Sequence, residues 1–235
     1  MRVLKIVAEG FTTSFRYPHF VQGVHPTYKM PPPATIYGHI CSVVGDYFDP
    51  QSTRFAYHFQ YEAEFTDYEH LHFFGKEAKM NPFKRDQLFR PRLTLYLDNL
   101  DFEPSFRHPR YAVGLGRAQD LMTYTSISAV ELVESERAFF DGTLLSLADA
   151  PYIGGRFYAV TMPRFIDEHR EPSWGQYAIL PHSDKPPVYP AINGQSDQFD
   201  QFNLGKPSFP IWVDPEETTL YPAETYRGVV WHTWM

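Results

Sequence analysis

The stretch FAYHFQYEAEF, Phe55 to Phe65, places aromatic or small apolar side chains at every second position and polar ones between them. Side chains of a β-strand point to opposite faces in turn, so a period of two predicts a strand with one buried face. One buried and one solvated face is typical of an antiparallel sheet. We therefore predict a half-buried antiparallel strand over Phe55 to Phe65.

The chain before this stretch predicts a strand followed by a helix. Val3 to Ala8 is a short apolar run that predicts a buried strand. After the prolines at 31–33, apolar side chains recur at the spacing of one helix face, at Ile36, Ile40, Val43, Val44 and Tyr47. Thr35 is a candidate cap for this helix, and Gly45 lies near its predicted end.

The chain after this stretch is mostly β in character. Further strands are predicted at Tyr68 to Phe74, Leu93 to Leu97, Ser126 to Val133, Arg137 to Leu145, Phe157 to Met162 and Gly228 to Trp234. A polar loop is predicted over Gly75 to Arg92, with a turn at Asn81-Pro82, and Glu171 to Pro222 predicts loops. The order β, α, then mostly β favours an α+β fold with an antiparallel sheet.

Composition limits the class of protein. The 235 residues are 43% hydrophobic and 21% charged, which is typical of a globular chain with one large domain or a domain with a subdomain. No apolar run approaches the ~18 residues of a membrane span, so no membrane partner is expected. A single cysteine, Cys41, and a first segment that reads as a strand favour a cytoplasmic protein.

Charge is distributed unevenly. The net charge is −7, but residues 1–117 hold 14 basic and 12 acidic side chains, whereas residues 118–235 hold 7 and 16. The segment Phe74 to Arg92 contains six cationic side chains but only two carboxylates, with phenylalanines between them. This pattern suits a hairpin that grips a nucleic-acid backbone. A solvated surface loop would have the same composition, so both interpretations stay open.

The histidines offer two candidate sites. His70 and His72 would share a strand face, but the sequence gives no third or fourth metal ligand, so surface histidines are favoured and no cofactor is expected. His19 and His25 lie near Tyr28 and Lys29, a combination that could cleave RNA without a metal. RNA binding without cleavage would use the same residue types, and composition does not decide between them.

A glycine-rich element lies at Val113-Gly114-Leu115-Gly116-Arg117. It lacks the Gly-Lys-Ser/Thr of a phosphate-binding NTPase loop and the third glycine of a dinucleotide fingerprint. Backbone amides followed by Arg117 could meet a phosphate. An ordinary glycine turn explains the same residues.

Three segments together resemble one protein family. They are MRVLKIVAEG leading to Ser14-Phe15-Arg16, the run from Pro26 to Gly38 with its three prolines before Thr-Ile-Tyr-Gly, and the run from Val113 to Leu121. Tyr152 to Ile166, with Gly-Arg-Phe-Tyr and Met-Pro-Arg, is also similar. The chain resembles the Cas-five family of CRISPR-associated RAMP proteins, in its type I-B-like branch.

The resemblance implies a fold and a role. The fold would be a modified ferredoxin-like, RRM-like domain with a β-hairpin thumb and a small C-terminal β region. The protein would be a non-catalytic subunit of a type I Cascade surveillance complex in antiviral defence, holding the 5′ handle of the crRNA. Its partners would be the backbone RAMP subunit and the large subunit, with target DNA near the PAM a further possible contact.

The resemblance also assigns regions and residues. Residues 1–125 would form the RNA-binding domain, with the thumb inserted near residues 75–92, and residues 126–235 the β-rich C-terminal region. The acidic C-terminal half would face protein neighbours or solvent. The predicted RNA-binding residues are Arg16, Tyr28, Lys29, Tyr37, Lys76, Lys79, Lys84, Arg85, Gly114, Leu115, Gly116 and Arg117.

Two other functions are kept as alternatives. The first is a metal-independent endoribonuclease that processes precursor crRNA, as type I-C members of the family do, with His19, His25, Tyr28 or Lys29 as candidate groups. The second is a β-rich protein-interaction domain, which would have no salt-dependent affinity for RNA.

Overall fold

A computed structural model describes residues 1–20, 23–74, 78–153, 156–184, 186–189, 210–219 and 225–235 of the chain. The strands are β1 (Arg2–Gly10), β2 (Thr12–Thr13), β3 (Val24–His25), β4 (Phe55–Gln60), β5 (Ala63–Phe74), β6 (Ala78–Phe89), β7 (Arg92–Leu97), β8 (Met122–Glu131), β9 (Val133–Glu134), β10 (Ala138–Phe139), β11 (Thr143–Ser146), β12 (Tyr158–Ile166), β13 (Pro172–Leu180), β14 (Val188–Tyr189), β15 (Trp212–Thr219) and β16 (Thr225–Val229). The helices are α1 (Pro33–Val44), α2 (Glu103–Arg107), α3 (Ala150–Ile153) and the 3-10 helix Leu100–Phe102.

The largest sheet has seven strands in the order β12-β13-β11-β4-β7-β1-β8, and each neighbouring pair is antiparallel. Its centre is built by the chain order β1, α1, β4, β7, α2, β8. The prediction of an α+β fold with an antiparallel sheet is therefore confirmed.

Helix α1 packs on one face of this sheet. Ile36, Ile40 and Val43 are buried, as their spacing predicts, and Pro33 occupies the first turn, where its missing N–H costs no hydrogen bond. Thr35 lies inside that turn and is not the cap. The helix ends at Gly45, whose φ of 92° is the left-handed conformation that glycine adopts without strain.

A second sheet covers the opposite face. Its five strands run β14-β10-β16-β15-β9, and β10 and β16 are parallel. The interface is largely apolar, but it also buries His58 and the pair of Lys5 and Asp214 on β15, whose Nζ and Oδ2 atoms lie 2.6 Å apart. Burial opposes the charge of Lys5, but the hydrogen bond and the charge of Asp214 raise its pKa. This pairing explains how β1 holds a lysine in an apolar run.

The strand predicted over Phe55 to Phe65 is two strands, and the half-buried prediction is wrong. Strand β4 ends at Gln60, and β5 begins at Ala63. Both Ala56 and His58 on the presumed solvent face are buried, because the five-stranded sheet packs there. The side chains of β4 do alternate between two faces, but the face predicted to be solvated is covered by strands near the C-terminus.

The loop predicted over Gly75 to Arg92 is mostly strand β6. The predicted turn at Asn81-Pro82 is wrong, since Pro82 lies opposite His70 in the β5–β6 ladder. On its other side β6 pairs with β3 only at Lys84 and Arg85, so Pro82 lies where β6 has one described neighbour. An edge position tolerates a proline because its missing N–H would face away from the ladder.

The loops predicted over Glu171 to Pro222 are also partly wrong. Strand β13 fills Pro172–Leu180 and β15 fills Trp212–Thr219, and residues 190–209 lie outside the described residues. Near the C-terminus the strand predicted over Gly228 to Trp234 is mostly wrong, because β16 spans Thr225–Val229 and ends there. Trp234 beyond it is buried and donates its indole N–H to the carbonyl of Pro33 at 2.9 Å.

The division at residue 125 stays a prediction. Strand β8 runs across that position and pairs with β1 along its length. No helix among the described residues is long and apolar enough to cross a membrane.

Candidate nucleic-acid interface

A long hairpin formed by β5 and β6 projects from the central sheet, and only its second strand falls within the range predicted for the thumb, residues 75–92. Strands β5 and β6 pair continuously, from Ala63 opposite Phe89 to Phe74 opposite Ala78. The base of the hairpin is joined to the body because β2 and β3 also pair with β6. Toward the tip, β5 is the one described strand that pairs with β6.

The outer face of the hairpin presents a cation and an aromatic ring. Lys84 lies opposite Tyr68, and its Nζ is 5.9 Å from the ring centroid. Tyr68 is 62% exposed, and Lys84 is exposed. Alternation places His70 and His72 on this face, with ring centroids 6.3 Å apart. A cation beside an exposed ring suits contact with a phosphate and a stacked base.

Arg85 lies on the inner face of the hairpin, where it is buried against β3. Its side chain is 9% exposed, and Nε donates to Oε2 of Glu69 at 2.7 Å. One terminal nitrogen lies 3.0 Å from Nδ1 of His25 on β3, and the guanidinium stacks 5.2 Å from the centroid of Phe83. Arg85, which the sequence predicts to bind RNA, therefore joins the hairpin to β3.

The glycine loop packs against the base of the hairpin. Gly116 has a φ of 102°, and a Cβ there would lie 2.6 Å from Oγ1 of Thr13, so glycine is required. Leu115 is buried and donates its amide to the carbonyl of Asp120 at 3.0 Å. The amide of Arg117 donates to the Asp120 side chain at 2.9 Å. Both amides are thus used within the loop, which in this conformation is not an open cradle for a phosphate.

Arg117 links the loop to both hairpin strands. It donates to Asp120 through Nε at 2.9 Å and Nη2 at 2.7 Å, to Gln87 on β6 at 2.9 Å, and also to Glu69 on β5. Burial would lower the pKa of Arg117, but the hydrogen bonds and charges of Asp120 and Glu69 raise it. Because Glu69 also binds Arg85, one carboxylate joins the loop, the hairpin and β3.

A buried histidine holds the other side of the loop. Nδ1 of His39 on α1 lies 2.8 Å from the carbonyl oxygen of Gly114, and Nε2 lies 2.9 Å from the hydroxyl of Tyr124. Burial lowers the pKa of His39, which favours the neutral ring. A neutral ring can donate from Nδ1 to Gly114 and accept at Nε2 from Tyr124. Helix α1 thereby fixes the glycine loop.

The remaining predicted residues divide between surface and core. Arg16 is exposed, and Lys29 is half-buried in an ion pair with Glu64. Tyr28 and Tyr37 are buried, and their hydroxyls donate to the carbonyls of Thr161 at 3.0 Å and Phe48 at 2.6 Å. Burial raises the pKa of Tyr28 to about 12 and also raises that of Tyr37. Both rings support the fold around the helix entry.

Two predicted lysines cannot be placed. Lys76 lies outside the described residues, and only the backbone position of Lys79 in β6 is described.

The candidate cleavage groups are held in separate contacts. His25 is buried against Arg85 and Phe83, and the Tyr28 ring stacks on Tyr17 at 3.7 Å. His19 is exposed next to Phe20. No group of three or more histidine, cysteine or acidic side chains that could hold a metal occurs in the described part of the chain.

Sequence reasoning missed the acidic and amide partners of the site. Asp120 follows Arg117 by three positions, and this spacing could have indicated an internal pair. Glu69 and Gln87 are separated from Arg117 by 48 and 30 positions, so only the fold brings them together. His39 gave no signal, because it lies within an ordinary helix pattern.

The chain was compared with known proteins. A chain of a solved CRISPR RNA-guided surveillance complex matches with a TM-score of 0.54 and 13% identity, over 79% of this chain and 90% of that one. The two chains share a fold. A CRISPR protein from Archaeoglobus fulgidus gives 0.44 at 8% identity over 80% and 90%, and another Cas protein gives 0.38 at 14% over 78% and 99%. No protein-family model matches the chain, and no curated protein matches it in sequence.

Proposed function

We propose that this protein is a non-catalytic RNA-binding subunit of a type I CRISPR surveillance complex, of the Cas-five family and its type I-B-like branch. It holds the 5′ handle of the crRNA. The observation that carries the proposal is the anchored hairpin, which exposes Lys84 and Tyr68 on one face and is tied to the glycine loop on the other.

The topology of the central sheet supports a ferredoxin-like domain. In the chain order β1, α1, β4, β7, α2, β8, the strands lie side by side as β8-β1-β7-β4. This is the β-α-β-β-α-β pattern, in which α1 connects β1 to β4 and α2 connects β7 to β8. The fold shared with a chain of a CRISPR RNA-guided surveillance complex supports the proposed role in such a complex.

The exposed cations support a local grip on RNA. Lys84 and Arg16 lie at the surface, and Lys29 is partly exposed beside the hairpin base. A protein with a net charge of −7 binds a phosphate chain best where such cations cluster, and the binding weakens as salt rises. The acidic C-terminal half contacts the backbone and large subunits of the complex. Target DNA near the PAM is a further contact of the protein.

The burial of His25 and Tyr28, two of the four candidate cleavage groups, supports the non-catalytic role. His25 and Tyr28 are both buried, so neither reaches a bound phosphate without rearrangement. A general base must come within about 2.6–3.2 Å of the proton it removes.

Co-expression tests the proposal. The full chain would be expressed with the other subunits encoded beside it and with its own repeat RNA, and the purified assembly analysed for RNA. We expect a complex containing the chain and an RNA whose 5′ end is the repeat-derived handle. Assembly of the same complex with an intact handle in the absence of this chain would contradict the proposal.

A further inference from the structure

A four-residue turn that carries three rings precedes β3 in the chain. It is formed by Tyr17, Pro18, His19 and Phe20, and the amide of Phe20 donates to the carbonyl of Tyr17 at 3.2 Å. Proline is favoured at the second position of such a turn, because its φ is fixed at about −65°. Three rings are therefore carried on one short loop whose backbone is restrained. We call residues 17–20 the aromatic turn.

The rings of the aromatic turn connect the core to the surface. The Tyr17 ring stacks on the buried Tyr28 ring at 3.7 Å, and the hydroxyl of Tyr28 donates to the carbonyl of Thr161 at 3.0 Å. At the outer end the rings of His19 and Phe20 lie 4.8 Å apart, and both contact Tyr17. His19 is exposed, and Phe20 is 41% exposed. The outer rings are thus anchored through Tyr17 to the core and still present surface to a ligand.

A cation lies directly beside the aromatic turn. Arg16 is exposed, and no described residue forms an ion pair with its side chain. Its backbone is held by a β-bridge to Thr27. By contrast, the arginines at the base of the hairpin each hold a carboxylate, namely Arg90, Arg92 and Arg117. A guanidinium that holds no carboxylate is free to bind a phosphate with two parallel hydrogen bonds.

The aromatic turn lies close to the exposed face of the hairpin. Tyr68, Lys84 and Val24 are aligned across β5, β6 and β3, and all three are exposed. The carbonyl of Gly23 accepts the amide of Lys84 at 3.1 Å. Phe20 precedes Gly23 by three positions, which a chain spans in at most about 11 Å. An RNA strand held at Lys84 therefore comes within reach of the aromatic turn.

We propose that the aromatic turn stacks one unpaired base of the RNA strand that crosses the hairpin, and that Arg16 holds a phosphate of the same strand. The proposal rests on the RNA-binding function proposed above. Unpaired RNA bases stack on Phe, Tyr and His rings, and such stacking tolerates any base because every base has a π-face. The unpaired cation beside the rings favours RNA over an apolar protein segment. The site adds affinity for the handle without reading which base is bound.

An abasic scan tests the proposal. Handle RNAs, each with a single abasic site, would be titrated with the full chain as wild type, Phe20→Leu and Tyr226→Leu. We expect one position at which loss of the base weakens wild-type binding about tenfold, while replacement by any other base changes it less than about twofold. Phe20→Leu should bind intact RNA about tenfold more weakly and should not respond to that abasic site. Tyr226→Leu, at a ring that is 38% exposed on β16, is the matched control and should behave as wild type.

A second variant tests the phosphate contact separately. Arg16→Gln should reduce the salt slope of binding by about one, and an unchanged slope would overturn that contact. Equal responses of wild type and Phe20→Leu at every position, with salt-dependent RNA binding intact, would overturn the stacking site and leave the proposed function standing. A response to one base identity alone would also overturn it, as would weaker association of Phe20→Leu with another subunit in place of any RNA effect. Wild-type binding that does not depend on salt would reject the proposed function itself.

Discussion

Arg117 grips the carboxylate of Asp120 with two hydrogen bonds, from Nε at 2.9 Å and Nη2 at 2.7 Å. The Asp120 side chain is fully buried and also accepts the amide of Ser14 at 3.2 Å. A buried charge pair persists when its remaining lone pairs are hydrogen-bonded, as they are here. The pair holds the glycine loop closed at the base of the hairpin.

Asp120→Asn should destabilise the protein. The change removes the charge that compensates Arg117 and leaves fewer acceptors for two amides, so we expect the free energy of unfolding to fall by roughly 2–4 kcal/mol. Urea unfolding monitored by circular dichroism measures this. Glu103→Gln is the control, because its pair with Arg107 is exposed and worth about 0.5 kcal/mol. Equal losses in the two variants would refute the role given to Asp120.

Arg85→Glu and Lys84→Glu should differ sharply in stability although they are neighbours in sequence. Reversal at Arg85 places a second carboxylate beside Glu69 in a buried site, so we expect a loss of roughly 3 kcal/mol or more. Lys84 is exposed, and its reversal should change stability by less than about 0.5 kcal/mol. Thermal unfolding of the two variants distinguishes them. Similar melting temperatures would mean that Arg85 is not the internal link described above.

Local pattern predicted the first strand, the helix face and the antiparallel character of the sheet. Those elements follow from spacings within a few residues, as in Ile36, Ile40 and Val43. The burial of His58 could not be predicted in this way, because its cover comes from strands more than 150 residues later. Pro82 does not form the turn that its sequence predicts, because an edge position removes the cost of the missing N–H.

The candidate site was predictable only in part. The basic residues after Phe74 indicated a hairpin with cations, and Lys84 lies on its exposed face. The sequence does not show on which face of the hairpin Arg85 lies. In the fold it is buried, because strand alternation turns its side chain toward β3. The RNA-binding role predicted for Arg117 stays a prediction, and its partner Glu69 lies on a distant strand that no local signal marks.

The stability of the protein should fall as the pH drops below about 6.5. Burial lowers the pKa values of His39, His58 and His232, the last to about 4, from an ordinary value of 6.5. Between these values the unfolded chain binds more protons than the folded one, so stability rises with pH and is lost as the pH falls. Each unit by which a pKa is lowered corresponds to about 1.4 kcal/mol.

His232→Gln should flatten this dependence between about pH 6.5 and pH 4. Urea unfolding at a series of pH values gives the slope directly. A wild-type stability that stays constant from pH 7 to pH 4, or that rises on acidification, would contradict the assignment of neutral buried histidines.

The wild-type chain should not cleave its repeat RNA. Incubation of the purified protein with precursor RNA, followed by gel analysis, should leave the RNA intact both with and without a chelator. The variants His25→Ala and Lys29→Ala test the alternative function, a metal-independent endoribonuclease. Products of handle length that appear with wild type and vanish in both variants would establish the endoribonuclease.

The binding of handle RNA by the full chain tests the central claim most directly. Fluorescence anisotropy would compare wild type, Lys84→Glu and Arg137→Glu, the last an exposed cation on the C-terminal half, between about 50 and 200 mM salt. We predict that wild-type affinity falls with salt, and that Lys84→Glu weakens binding at least about fivefold and reduces the salt slope by about one. Arg137→Glu should match wild type. Salt-independent binding, or equal effects of the two reversals, would contradict the account.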